Sequence, residues 1–564
     1  MALTTRQRRP LPSDPPPSSP IYTKYDKPSR RLGDGDGGRE EEKSLGWFVP
    51  VFALGMLRYM SATTNIIHDC DEVFNYWEPL HYLLYKSGFQ TWEYSSEFAL
   101  RSYLYILFHE LVGRPASWLF AEDKVRVFYA VRLFLGLLSV TTDAVLVVAL
   151  SRKYGRRLAS YTLAMLCLTS GCFFASTSFL PSSFSMYAIS LASGFFLLEK
   201  YAMAVAVSAA GVILGWPFSI LAFLPVVFYS LARRFKQAFL AGAATSVTLL
   251  ALSVFVDYQY YRRWASSVLN LVVYNVVGGA GMVRFSSMQF SWDFRFFRNL
   301  NDRELQHCSN LLGVLGVHID SMKEDKRAGA LEKSRIFATT WFLYPIYPLI
   351  CVAASAVIES FPDIFRDKYD PNANFVMVTT AKVLRPFVLG LILCASHSRT
   401  FSLVNGYAAP IEVYKILQHH DDAGPGSVVC VGSEWHRYPS SFFIPNYVGE
   451  VRWLDDGFRG LLPLPFNSTL GGTSAAPSYF NNENKASDQQ FLQDVEACTF
   501  LVELQLNRPY PSRGSDLSKW EPIAALPYLD REFSPPLYRS FFIPYLWQQR
   551  NVFGLYKLFR RIRN

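Results

Sequence analysis

Residues 103–120 read YLYILFHELVGRPASWLF, and whether this stretch crosses a membrane decides how the chain is threaded. It is apolar and long enough to approach a span of ~20 residues, yet His109, Glu110, Arg114 and Pro115 sit at its middle. A central Arg alone costs roughly 2.5–3.5 kcal/mol on insertion. Crossing would also carry Arg152, Lys153, Arg156 and Arg157, beyond the next apolar run at 125–150, into the lumen. That opposes the preference of Lys and Arg for the cytoplasmic side. An amphipathic helix lying on the luminal face removes both conflicts, and residues 65–124 become one large luminal loop.

Towards the N-terminus, residues 47–64 form the first span, and the Pro-, Ser-, Gly- and Arg-rich residues 1–46 read as a disordered cytoplasmic tail without the apolar run of a signal peptide. Towards the C-terminus, 125–278 is a multi-span region with crossings expected at 125–150, 158–176, 183–198, 202–216, 218–231 and 237–255. Arg233, Arg234 and Lys236 then fall on the cytoplasmic side, and 264–278 lies on the luminal surface. Residues 279–337 break the apolar rhythm with a polar run, SMKEDKRAGALEKSR. Two further spans, 338–358 and 376–396, deliver residues 397–564 to the lumen as an α/β domain. Its expected elements are a helix near 411–419 and strands at 428–431 and 500–504. Asn467-Ser468-Thr469, the one Asn-x-Ser/Thr sequon of the chain, lies in this domain, so Asn467 is the candidate glycosylation site.

Composition agrees with an α-helical polytopic membrane protein. Of 564 residues, 16% are aromatic and only 18% charged, against ~25% charged in soluble chains. The net charge of +9 is gathered in clusters beside apolar runs, which points to membrane topology and away from nucleic acid. Eight cysteines include no Cys-x-x-Cys pair, and no metal site is expected. Cys430 and Cys498 fit either a disulfide in an oxidising lumen or two buried thiols.

The chemistry concentrates in 68–94, where Asp69, Asp71 and Glu72 follow the first span among Phe74, Tyr76 and Trp77. A carboxylate beside a membrane can serve as general base if partial burial lifts its pKa. Nearby rings offer platforms for a sugar, or an interfacial belt with the acids capping the next helix. His68 and His81 lack diagnostic ligand spacing and read as surface histidines. Arg101 opens the amphipathic helix, and Arg132 lies just inside a span, where it snorkels to the interface or meets a lipid phosphate.

HDCDEVFNYWEPLHYLLY (68–85) and GFQTWEYSSEFALRSYLY (88–105) closely resemble the dolichyl-phosphate-mannose-dependent α-1,2-mannosyltransferases of the endoplasmic reticulum, which extend the lipid-linked oligosaccharide for N-glycosylation. The resemblance runs through 47–278 and resumes at Phe342-Leu343-Tyr344-Pro345-Ile346-Tyr347-Pro348. It implies a GT-C glycosyltransferase with a large first luminal loop, in a multi-pass membrane protein of the endoplasmic reticulum. The implied partners are dolichyl-phosphate mannose as donor, a dolichyl-diphosphate oligosaccharide as acceptor and the surrounding lipid, with no cofactor. Asp71 becomes the general base of an inverting transfer, Asp69 the reserve base and Glu72 a positioning group. Arg101, then Arg132, would hold the leaving phosphate. Trp77, Glu78, His81, Trp92, Glu93 and Tyr94 would shape the substrate site.

Residues 279–340 depart from that family. Where it has a His-Lys-Glu-Glu-Arg-type stretch before the Phe-Leu-Tyr-Pro motif, this chain has Ser334-Arg335-Ile336-Phe337-Ala338-Thr339-Thr340-Trp341. The departure adds one alternative to a normal transferase, an impaired chain that only binds; within enzymes the alternative is a related mannosyltransferase of GPI-anchor assembly, with a different acceptor. A transporter is disfavoured, because paired half-repeats with broken midplane helices are not evident.

Overall fold

The computed structural model describes residues 44–121, 123–276, 343–365, 375–420, 424–446, 448–508 and 512–562. The expectations for the tail before residue 44 and for 279–340 lie outside the described residues.

Helix α1 (Phe48–Thr64) shows how this sequence is solvated. Phe48, Phe52, Met56 and Tyr59 form an exposed stripe, while Arg58 and Ser61, and Asn65 just past its end, are buried. Apolar groups outside and polar groups inside suit a helix whose solvent is lipid. A short α2 (Cys70–Glu72) runs through a π turn (Val73–Trp77) into α3 (Glu78–Tyr85), followed by β1 (Phe89–Gln90) and α4 (Tyr103–Phe120). Then come α5 (Lys124–Tyr154), α6 (Arg156–Leu168), α7 (Ser170–Ala175), α8 (Pro181–Leu197), α9 (Tyr201–Ala210), α10 (Ile220–Tyr261) and α11 (Ser267–Val276). Beyond the undescribed segment lie α12 (Tyr347–Ser360) and α13 (Phe375–Tyr407). Among the described residues, four stretches are long and apolar enough to cross a membrane: Lys124–Tyr154, Pro217–Tyr261, Tyr344–Asp363 and Phe375–Tyr407. The chain is a multi-pass membrane protein, and α4 is outside that set.

Two boundaries differ from expectation. The span expected at 158–176 is broken at Thr169, whose backbone is extended (φ −72°, ψ 133°).

 
Asn65, which ends α1, has the same extended backbone (φ −64°, ψ 138°), so both chains turn at one level. The break frees carbonyls that lipid could not satisfy, and α1 supplies their donors. Arg58 donates to the carbonyls of Leu166 (3.0 Å) and Cys172 (3.3 Å), Ser61 to that of Phe173 (2.6 Å) and Asn65 to that of Phe174 (3.0 Å). Arg58 also pairs with Asp143 of α5 at 3.2 Å. The spans expected at 218–231 and 237–255 are the two helical halves of α10, parted at Arg234, whose backbone is not helical (φ −145°, ψ 63°), within the basic cluster. The last long helix continues to Tyr407, so the C-terminal domain begins about ten residues later than 397.

That domain opens with α14 (Ala409–Lys415) and is built on a five-stranded mixed sheet, order β3-β2-β5-β7-β6. The expected strands are β2 (Val428–Val431) and β5 (Phe500–Gln505), which are parallel, as are β2 and β3 (Glu450–Trp453). The sheet is completed by β6 (Trp520–Leu529) and β7 (Phe553–Arg561), antiparallel to their neighbours. Pro522 and Pro527 are tolerated because β6 is an edge strand. Between these strands lie α15 (Pro536–Ser540) and α16 (Leu546–Arg550). Cys430 and Cys498 form a disulfide beside the β2–β5 pairing, which resolves the two readings of these cysteines. A separate ribbon, β1 with β4 (Leu464–Pro465), ties the loop after α1 to this domain.

Candidate active site

The chain leaves α1 and turns at Asp69, whose carboxylate accepts the backbone N–H of Asp71 at 2.9 Å and so caps α2. Asp71 is thereby presented on the outer side of the first turn. The π turn that follows brings residues five apart onto one face, and Trp77 Nε1 donates to Glu72 at 3.1 Å. The same Glu72 oxygen accepts the backbone N–H of Phe179 at 2.9 Å, so this buried carboxylate joins the acidic turn to the chain after α7.

Asp71 opens into a cavity of about 170 Å³ lined on one side by Trp92 and Glu93, and on the other by Trp435, Phe458 and Asn484 of the C-terminal domain. Asp71 meets solvent at its edge, yet its carboxyl is otherwise surrounded by protein. Burial and the negative Glu93 outweigh the pull of Arg101 and push its pKa up to about 6. Burial and the charge of Asp71 likewise push Asp69 well above the usual carboxylate range. Arg101 donates to Glu93 at 2.6 Å and to the Tyr76 hydroxyl at 2.9 Å. Burial opposes its charge, but Glu93 and Tyr76 prevail and keep the guanidinium protonated.

The structure therefore brings Asp71, Trp92, Glu93 and Arg101 together, with Asp69 behind them. Other expected site residues serve packing. Trp77 is fully buried against Phe128 and Phe179, with ring centroids 4.2 and 4.9 Å away, so it has no face left for a sugar. Tyr94 is also buried and donates to the Asn75 carbonyl at 2.7 Å. Glu78 is buried and accepts four hydrogen bonds, from the N–H groups of Phe89 and Ser441 and the hydroxyls of Ser440 and Ser441, at 2.6–2.8 Å. It fastens the loop to the C-terminal domain. His81 is no surface histidine: it is buried, Nδ1 lies 2.6 Å from the Ser87 carbonyl, and burial with nearby Lys124 keeps the ring neutral. Arg132 neither snorkels nor faces the cavity. It is fully buried and donates to the Asn65 carbonyl at 2.6 Å, closing the end of α1. Asn467 is exposed in the turn after β4, its side chain accepting from Thr469 at 2.8 Å.

The sequence analysis missed Trp435, Phe458 and Asn484. They lie more than 300 residues beyond Asp71, and no local pattern marks them. Asp69, Cys70 and Asp71 also bring one potential ligand atom each within 4.8 Å of one another.

The family model described as the Alg9-like mannosyltransferase family matches residues 49–285 and 341–445, passing over most of the stretch that departs from expectation. The alpha-1,2-mannosyltransferase ALG9 of Arabidopsis thaliana is 66% identical over 574 aligned residues, covering 99% of each chain. That of Homo sapiens is 32% identical over 545, covering 89% of this chain and 87% of the other. Among solved structures, ArnT from Cupriavidus metallidurans bound to undecaprenyl phosphate aligns with a TM-score of 0.41 at 13% identity, over 90% of this chain and 98% of that one, a likeness too distant to carry an argument. With both the acidic loop and the motif before α12 inside the matched stretches, the chain belongs to the Alg9-like mannosyltransferase family and is a glycosyltransferase.

Proposed function

We propose that the chain transfers mannose in α-1,2 linkage from dolichyl-phosphate mannose to a mannose of the dolichyl-diphosphate oligosaccharide, on the luminal side of the endoplasmic reticulum, for protein N-glycosylation. The observation that carries the reading is Asp71, poised near pKa 6 in a ring-lined cavity with Arg101 in the same charged cluster. Asp71 takes the proton of the acceptor 2-hydroxyl, and that oxygen attacks the anomeric carbon of the β-linked donor. The bond to phosphate breaks from the opposite face, giving the α-linkage and dolichyl phosphate. General-base assistance is typically worth ~10²–10⁴-fold. Arg101, held in place by Glu93 and Tyr76, stabilises the departing phosphate. Trp92, Trp435 and Phe458 form the walls against which the acceptor sugar rests.

In this reading the arginine carries the phosphate charge, and Asp69, Cys70 and Asp71 need no ion, so a chelator leaves transfer intact. The test is the lipid-linked oligosaccharide profile of a host lacking its own α-1,2-mannosyltransferase, supplied with this chain or its Asp71→Asn variant. Restored mannose addition that the variant loses supports the proposal and shows that the departure at 279–340 leaves the chain active. Stable, membrane-inserted protein without restoration overturns it in favour of a chain that only binds.

A further inference from the structure

None of the described residues between β6 and β7 lines the cavity beside Asp71, and the surface of this segment is unusual for a protein bathed in water. Phe533 (59% exposed), Leu537 (57%), Tyr545 (88%) and Leu546 (38%) stand open within twenty residues that also carry Arg531, Arg539 and Arg550. Tyr545 is held at φ +64°, a left-handed backbone that is a genuine outlier for a bulky residue. A strained backbone that presents an aromatic ring to the outside needs a reason beyond packing.

The location supplies one. This segment is bolted to the end of α13. Phe542 exchanges two hydrogen bonds with Ser398, its N–H donating at 3.0 Å and its carbonyl accepting the hydroxyl at 2.9 Å. Ser402 donates to the Arg539 carbonyl at 2.9 Å and accepts from Trp547 Nε1 at 2.8 Å. The open apolar face of α13 includes Val383, Phe387 and Leu391, each more than 60% exposed. Ser398 lies seven residues past Leu391, about 10 Å along the axis at ~1.5 Å per residue. The 33 residues of α13 are also too long, at about 50 Å, for a ~30 Å core. Its Ser398 end therefore emerges at the headgroup level.

We propose that residues 531–550 are an interfacial anchor that seats the C-terminal domain on the phospholipid bilayer. Aromatic rings and leucines enter the headgroup–acyl boundary, and the arginines meet lipid phosphates, the mixture that membrane interfaces select. The occupant is lipid because the patch continues the lipid-facing surface of α13. Seating the domain in this way fixes the height of Trp435 and Phe458 over Asp71 relative to the membrane.

The test places the photo-crosslinking residue benzoylphenylalanine at Tyr545, at Phe533 or at Leu470, which is 75% exposed on the turn after β4. The full chain is reconstituted in phosphatidylcholine vesicles, and correct folding is checked by the Cys430–Cys498 disulfide. Phospholipid adducts several-fold more abundant at 545 and 533 than at 470 are expected. Adduct yields no higher than at 470, or cross-links to protein instead of lipid in native microsomes, overturn the anchor.

Discussion

Glu78→Gln separates a structural carboxylate from a substrate ligand. Oε1 of Glu78 accepts the Ser441 N–H at 2.6 Å and the Ser440 hydroxyl at 2.7 Å, while Oε2 accepts the Phe89 N–H at 2.8 Å and the Ser441 hydroxyl at 2.7 Å. The hydroxyls can turn and accept from an amide, but the backbone N–H groups cannot. Whichever way the glutamine is placed, its NH₂ faces one of those two N–H groups. One hydrogen bond is lost, a buried donor is stranded at ~1–3 kcal/mol, and the remaining bonds lose their charge assistance. The total comes to about 2–4 kcal/mol. Thermal unfolding of the detergent-solubilised chain and limited proteolysis report the effect: a lower midpoint and faster cleavage of the C-terminal domain, with donor and acceptor KM of the folded fraction little changed. Unchanged stability with a raised KM would refute the reasoning and return Glu78 to the substrate site.

With Asp71 as the proposed base, transfer should rise with pH through about 6 and level off above it, because only the ionised carboxylate can accept a proton; each unit below costs roughly tenfold. Glu93→Gln removes a charge that raises Asp71 and releases Arg101, so the acidic limb of the pH–rate profile moves to lower pH; a limb that moves upward contradicts the assignment. Arg58→Leu strands buried Asp143, at about 3–5 kcal/mol, and should abolish recovery of folded protein, whereas Arg58→Leu with Asp143→Leu regains part of it; full stability of the single variant would show that the pair does not hold the broken helix. Removing the Cys430–Cys498 disulfide, which closes a separation of 68 residues, should cost about 4 kcal/mol on chain-entropy grounds, measured as denaturant resistance of the Cys430→Ser/Cys498→Ser chain.

The positions of Asp71, Trp92, Glu93 and Arg101 were legible because they lie within one short segment whose residue types declare acid, base and platform. Glu78, Trp77, His81 and Tyr94 sit in that same segment with the same chemical vocabulary. Tyr94 is closed off within the loop, against Tyr103 and the Asn75 carbonyl. For the other three it is the distant segment 438–442, where Phe442 packs on Trp77 and His81 and Ser440 and Ser441 close on Glu78. Nothing local announces that burial. Arg132 was misread for a related reason: its distance from the membrane edge suggested an interface, but the turn of the chain at Asn65 gave it a carbonyl to close. The break at Thr169 was hidden because the polar residues that make it tolerable belong to α1.

The β1–β4 ribbon has a consequence for biosynthesis. Gln90 completes its hydrogen bonds only with the Thr473 carbonyl, 383 residues further along. At ~5–20 residues per second, the ribosome needs about 20–80 s to cover that distance. The acidic loop waits through that interval without the wall that shapes its cavity, so the nascent chain is inert until translation is nearly finished, and a chain truncated before residue 435 should be inserted in the membrane yet unable to turn over substrate.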